Sequence, residues 1–111
     1  MKLTKDLVGA SAVPLVLSIL AEGDSYGYAI IERVKQLSDG KIAWTDGMLY
    51  PVLHRLEEQD AIRARWGESD AGRKRKYYSL CKAGKTILAE QKEQWLVVQT
   101  TLGRLWGTAN V

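Results

Sequence analysis

The sequence predicts a mainly helical chain with one small β-hairpin: short helices first, then a hairpin, then one long helix. Three observations carry that expectation. Apolar residues recur at helical spacing in three early stretches, most clearly Leu49, Val52, Leu53 and Leu56 at i, i+3, i+4 and i+7. Residues 61–66 and 74–80 alternate at period two on either side of a polar turn. From Ala83 the helical pattern returns and holds to about Trp106. A small helix followed at once by a hairpin with a basic tip is the layout of a winged helix-turn-helix that reads duplex DNA. On this reading residues 1–82 form the winged helix-turn-helix and residues 83–111 a C-terminal dimerisation helix and tail, together one compact unit.

Composition sets the outer limits. A chain of 111 residues has room for one domain with a modest core. At 46% hydrophobic and 26% charged residues it is a globular mixture and not a disordered one. The net charge of +3 permits nucleic-acid binding without requiring it, so local clustering of cations decides more than the total. No apolar run approaches the ~20 residues that cross a bilayer. Lys2, Lys5 and Asp6 precede no long apolar stretch, so no secretory leader is expected and the cytoplasm is the expected location. The single Cys81 excludes an internal disulfide framework and leaves no cysteine metal cluster.

Taken in order, residues 1–10 form a helical or loose arm. Ser11 to Ala21 is apolar nearly all round and predicts a buried first helix, with Pro14 in its first turn, where the missing N–H costs nothing. Glu22, Gly23 and Asp24 end it. Ser25 then caps a second helix running to about Leu37, with Tyr26, Ile30, Val34 and Leu37 on one side. Ser38, Asp39 and Gly40 stop that helix, and Lys41 to Trp44 fits a small strand. Thr45 or Asp46 caps the third helix, whose first turn is tightened or kinked because Pro51 removes one ladder bond. Ala61 to Trp66 and Lys74 to Leu80 are the hairpin strands, and Gly67 to Gly72 is its turn. The last helix spans ~36 Å at 1.5 Å per residue. Its Leu88, Trp95, Val98, Leu102 and Leu105 occupy a/d-like positions, a stripe too long for one small domain to bury and best covered by a second copy. Thr100, Thr101 and Gly103 weaken the helix near its end, and residues 107–111 are expected to fray.

Several stretches are more specific than these periodicities. They are Ala21-Glu22-Gly23, Ser25-Tyr26-Gly27-Tyr28, Gly47-Met48-Leu49-Tyr50-Pro51, Arg55-Leu56-Glu57-Glu58, Arg75-Lys76-Tyr77-Tyr78-Ser79-Leu80 and Ala83-Gly84. In this order the chain closely resembles PadR-family transcriptional regulators, of the short subfamily with a single long C-terminal helix, over roughly Val13 to Trp95. The resemblance implies a homodimeric repressor on a roughly two-fold DNA operator, released by a phenolic or planar hydrophobic small molecule or by another cue. It also implies that the Ser25–Tyr26 end of the second helix clamps the DNA backbone. Cys81 departs from the family pattern, which has Thr before the long helix; losing that cap costs about 1 kcal/mol.

Each candidate residue also has a plainer reading. Tyr50 and His54 on the third helix could be mere solvent-facing residues, but beside a wing they are candidate contacts to a phosphate or base edge. Arg73, Lys74, Arg75 and Lys76 could be a solvated charge run. Consecutive cations repel, however, and a bare tip gains nothing from them, so phosphates are the better partner. Trp95 is either interface core or, as in short members of the family, one wall of a cavity that stacks a flat aromatic effector. Cys81 is either a small buried hydrophobe or, near Lys82 and Lys85, a thiolate-prone redox sensor without a resolving partner. No catalytic constellation, phosphate loop or cofactor motif is present, so an enzyme is not expected. Two rival functions remain: a winged-helix protein–protein adaptor without DNA binding, and a hydrophobic small-molecule carrier using the dimer cavity.

Overall fold

Thr4 caps the first helix seven residues before Ser11, where the largely apolar stretch begins, since its side-chain oxygen accepts the Leu7 N–H at 3.3 Å. In the computed structural model, which describes residues 1–108, this helix is α1, Lys5–Glu22. The early start corrects the expected place of Pro14, which lies inside α1 and not in its first turn. Its missing N–H leaves the Ala10 carbonyl without a ladder donor, a loss the helix absorbs through the buried Ala12, Val16, Leu17, Ile19 and Leu20. Gly23, at φ 150, ends α1 and passes the chain to a two-residue strand.

That strand, β1 (Ser25–Tyr26), corrects the expectation that Ser25 caps a helix. Ser25 and Tyr26 pair with Tyr78 and Tyr77 of a later strand, so their backbone is held extended in a ladder. Helix α2 (Gly27–Leu37) starts from Tyr26 with no side-chain cap, and it buries Ile30 and Val34 while Leu37 stays exposed. Glu22 accepts two hydrogen bonds from the Arg33 guanidinium, at 2.8 and 3.1 Å, tying the end of α1 to α2. That contact holds the Glu22 carboxyl below the usual carboxylate range.

Lys41 to Trp44 is not a strand, contrary to expectation. The segment is tied locally instead, the Ile42 N–H donating to the Ser38 hydroxyl at 2.9 Å and Trp44 lying buried. Helix α3 (Asp46–Glu58) follows with Thr45 as its cap, the side-chain oxygen accepting the Met48 N–H at 3.3 Å. The Thr45 carbonyl also accepts from both Met48 and Leu49, the tightened first turn that Pro51 led us to expect. Asp60, at φ 57, turns the chain into β2 (Ile62–Glu68), which pairs antiparallel with β3 (Lys74–Leu80). The sheet order is β1-β3-β2.

Helix α4 (Lys82–Trp106) starts from Cys81, whose side chain makes no capping bond. The core lies between α1, α2, α3 and the inner face of the hairpin, and Leu88 is the one α4 residue in its buried cluster. Beyond Leu88 the helix continues past Ala10 of α1, and the described chain extends 52 Å along its longest axis against 31 Å across. Gly107, in the left-handed region at φ 70, closes α4, and the Thr108 N–H reaches the Gly103 carbonyl at 2.9 Å. Gly107 and Thr108, placed by expectation in a fraying tail, thus close the helix end, and residues 109–111 lie outside the described part. Among the described residues no helix is long and apolar enough to cross a membrane.

Candidate nucleic-acid interface

Four buried residues orient α3. Leu49, Val52, Leu53 and Leu56 are at most 8% exposed, which turns Tyr50, His54 and Arg55 outward. Tyr50 does not swing freely. Its hydroxyl oxygen lies where a side chain at Gly27 would stand, 3.1 Å from an ideal Cβ there, so the bare backbone at the start of α2 seats the ring. His54 Nε2 lies 2.9 Å from the Glu58 Oε1 carboxylate oxygen, one helical turn away. Both residues face the hairpin across a shallow depression that includes Pro51, Glu57, Lys76 and Tyr78. Tyr78 closes the inner wall; burial pushes its phenol up to about 12, helped by the negative charge of Glu57, so it remains neutral.

The wing is built by a five-residue tip. Ser69 binds both ends of the turn: its N–H donates to the Arg73 carbonyl at 2.9 Å, and its hydroxyl accepts the Arg73 N–H at 3.2 Å. Gly72, at φ 76, supplies the left-handed step such a turn needs. The four cations then diverge. Arg73 and Lys74 are exposed, while Arg75 and Lys76 are half-buried against partners of their own. Lys76 lies 3.8 Å from the Glu57 carboxylate and 5.7 Å above the Tyr78 ring. Arg75 sits 3.9 Å above the ring of Tyr26.

These pieces border one open groove of about 730 Å³, with the start of α2 and Tyr50 on one side and the basic edge of the wing on the other. Sequence reasoning passed over two of its residues, Tyr28 and Trp66, which are 67% and 69% exposed. Alternation assigned Trp66 to the inward face with Ile62 and Ala64. That assignment holds geometrically, but the hairpin outruns the body, so its last inward residue faces the groove instead of the core. Ser25 does not line this groove; it lies in the β1 ladder opposite Tyr78.

The α4 residues separate in the same way. Leu88 is buried by its own chain, and Trp95 is half-buried with its indole N–H donating to Gln91 at 3.2 Å. Val98 and Leu105 are 48% and 76% exposed, with Leu102 half-buried between them. Trp95 and Val98 line a shallow hollow of about 380 Å³ shared with Ala10, Gln91 and Gln94. Cys81 is half-buried. Among the described residues no group of His, Cys, Asp and Glu is arranged to hold a metal.

The comparisons agree with this geometry. Residues 16–90 match the model of the transcriptional regulator PadR-like family. The transcriptional regulator YqjI of Escherichia coli is 35% identical over 80 residues, covering 72% of this chain and 37% of its own longer one. A transcriptional regulator from Clostridium thermocellum superposes with a TM-score of 0.82 at 27% identity, covering 90% of this chain and 97% of that one. A PadR-like transcriptional regulator from Bacillus cereus gives 0.81 at 26% identity, covering 92% and 97%. The winged helix and the long helix that follows thus superpose on nearly the whole of the two solved regulators, and the chain belongs to the PadR-like family of transcriptional regulators.

Proposed function

We propose that the chain acts in the cytoplasm as a homodimeric repressor on a roughly two-fold DNA operator. The observation that carries this reading is the open groove in which Tyr50 of α3 faces the basic edge of the wing, with His54 in the adjoining depression. Tyr50 and His54 meet a phosphate or base edge from α3, Arg73 and Lys74 meet phosphates from the wing, and Ser25 with Tyr26 borders the backbone at the start of α2. Arg75 and Lys76 line the same edge with intrachain partners already in place. The stripe of exposed Val98 and Leu105 with half-buried Leu102 supports pairing of residues 83–111 with a second copy, which would set two α3 helices about one DNA turn, ~34 Å, apart. The hollow beside Trp95 supports release by a small planar aromatic effector.

Duplex binding that weakens steeply with salt separates this function from an adaptor or a carrier. Replacing Arg73 and Lys74 together by Ala is expected to weaken binding to every duplex and to flatten the salt slope by about two units. Fluorescence anisotropy across a salt series measures both; an unchanged slope in the folded double variant removes the wing from the interface.

The two faces of α3 give opposite expectations. His54→Ala should lower affinity with little change in stability, because its side chain is 76% exposed. Leu53→Ala should cost about 2–5 kcal/mol of folding stability, as a large-to-small change at a residue 1% exposed. Urea melts of both variants decide it: an unfolded His54→Ala beside a stable Leu53→Ala would reverse the faces.

A further inference from the structure

β1 is two residues long and reaches only Tyr77 and Tyr78 of β3, so the edge of β3 toward the wing tip has no backbone neighbour on that side. Side chains supply the missing tie. Arg65 and Tyr77 are register partners, and Tyr77 is in turn the partner of Tyr26. Arg75 stands two residues along β3 on the same face. The guanidinium of Arg75 lies 3.9 Å above the Tyr26 ring. Tyr26 meets Tyr77 edge to face, with centroids 5.6 Å apart and planes at 79°. Arg65 covers Tyr77 at 5.0 Å and donates to the Asp24 carboxylate at 3.1 Å, which holds Asp24 below the usual carboxylate range. Gly67 leaves the room this needs, since a Cβ there would stand 3.0 Å from the Tyr77 ring.

We propose that Arg75 and Tyr26 form a strut that sets the angle of the wing against α2 and α3. Arg75 is then a positioning residue and not a phosphate ligand, and the wing's phosphate contacts belong to Arg73 and Lys74. A planar guanidinium on an aromatic face gains from the ring quadrupole as well as from dispersion, and both are given up if it leaves for a phosphate. The ladder from Asp24 to Arg75 crosses β1, β2 and β3, so it joins the chain before α2 to the stem of the wing. This inference rests on the reading of the chain as a duplex-binding regulator.

The test pairs binding with an observable of the protein alone. The probe is a fluorescein-labelled mixed-sequence DNA duplex of about three helical turns. Lys74→Ala should lower the salt slope by about one unit. Arg75→Ala should keep the slope of the unaltered protein while affinity falls about two- to fivefold per subunit. Tyr26→Phe, which keeps the ring but gives up the hydroxyl beside the DNA backbone, should keep the β3 amide exchange of the unaltered protein; Tyr26→Leu should reproduce the exchange of Arg75→Ala, and combining Tyr26→Leu with Arg75→Ala should quicken it no further. Amide hydrogen exchange along β3 should quicken in Arg75→Ala and Tyr26→Leu and not in Tyr26→Phe. A slope lowered by about one unit in Arg75→Ala would make Arg75 a phosphate ligand and overturn the strut. Unchanged exchange in Tyr26→Leu overturns it whether or not DNA binds. Salt-independent or absent binding by the unaltered protein instead overturns the DNA-binding reading, and the exchange data then judge the strut alone.

Discussion

Gly84→Ala is expected to destabilise the fold by about 3 kcal/mol or more, although helix propensity alone favours Ala over Gly by about 1 kcal/mol. Gly84 lies in the first turn of α4 and is buried. A Cβ there would collide with the Ala61 carbonyl oxygen and stand 2.6 Å from Cδ1 of Leu80. The Ala61 carbonyl cannot move aside cheaply, because it accepts the Cys81 N–H at 2.9 Å and so closes the junction of β2, β3 and α4. Backbone would have to separate from backbone, and α4 would lift from the hairpin that positions the wing. Urea unfolding followed by tryptophan fluorescence measures the loss as a lower midpoint at similar slope. A variant as stable as the unaltered protein would mean that α4 is not seated on Ala61.

The second large effect is expected from Val98→Asp combined with Leu102→Asp. Val98 is 48% exposed in the single chain and Leu102 half-buried, both beyond the buried cluster that ends at Leu88. The winged-helix unit should therefore stay folded while the proposed seam receives two carboxylates. Each carboxylate in a desolvated seam without a partner costs several kcal/mol, enough to separate a dimer held by one helix from each chain. Operator affinity should then fall by a hundredfold or more (about 10²–10⁴), because each half-site loses the effective concentration its twin supplied. Sedimentation equilibrium and far-UV circular dichroism, read together, distinguish dissociation from unfolding. A double variant that stays dimeric and still binds its operator would move the interface off this stripe.

The parts of the fold legible in the sequence are those fixed by local periodicity and capping. The i, i+3, i+4, i+7 run from Leu49 to Leu56 and the Thr45 cap define α3 without reference to anything distant. Alternation defines both hairpin strands, and a long apolar stripe ended by Gly107 defines α4. The motif stretches added the family, since Tyr50-Pro51 and Arg75 to Tyr78 are more specific than any period. Tertiary structure decided what periodicity cannot carry. Ser25 and Tyr26 suit a helix start, but Tyr77 and Tyr78 recruit them into a ladder, a non-local pairing invisible along the chain. Lys41 to Trp44 suits a strand, but the turn bonds to Ser38 and the burial of Trp44 hold it outside the sheet. Four adjacent cations look equivalent in one dimension; in three, Arg73 and Lys74 face solvent while Arg75 and Lys76 rest on Tyr26, Tyr78 and Glu57. Side-chain direction in a strand alternates, so neighbours in sequence meet different surroundings, and only the assembled sheet determines what those surroundings are.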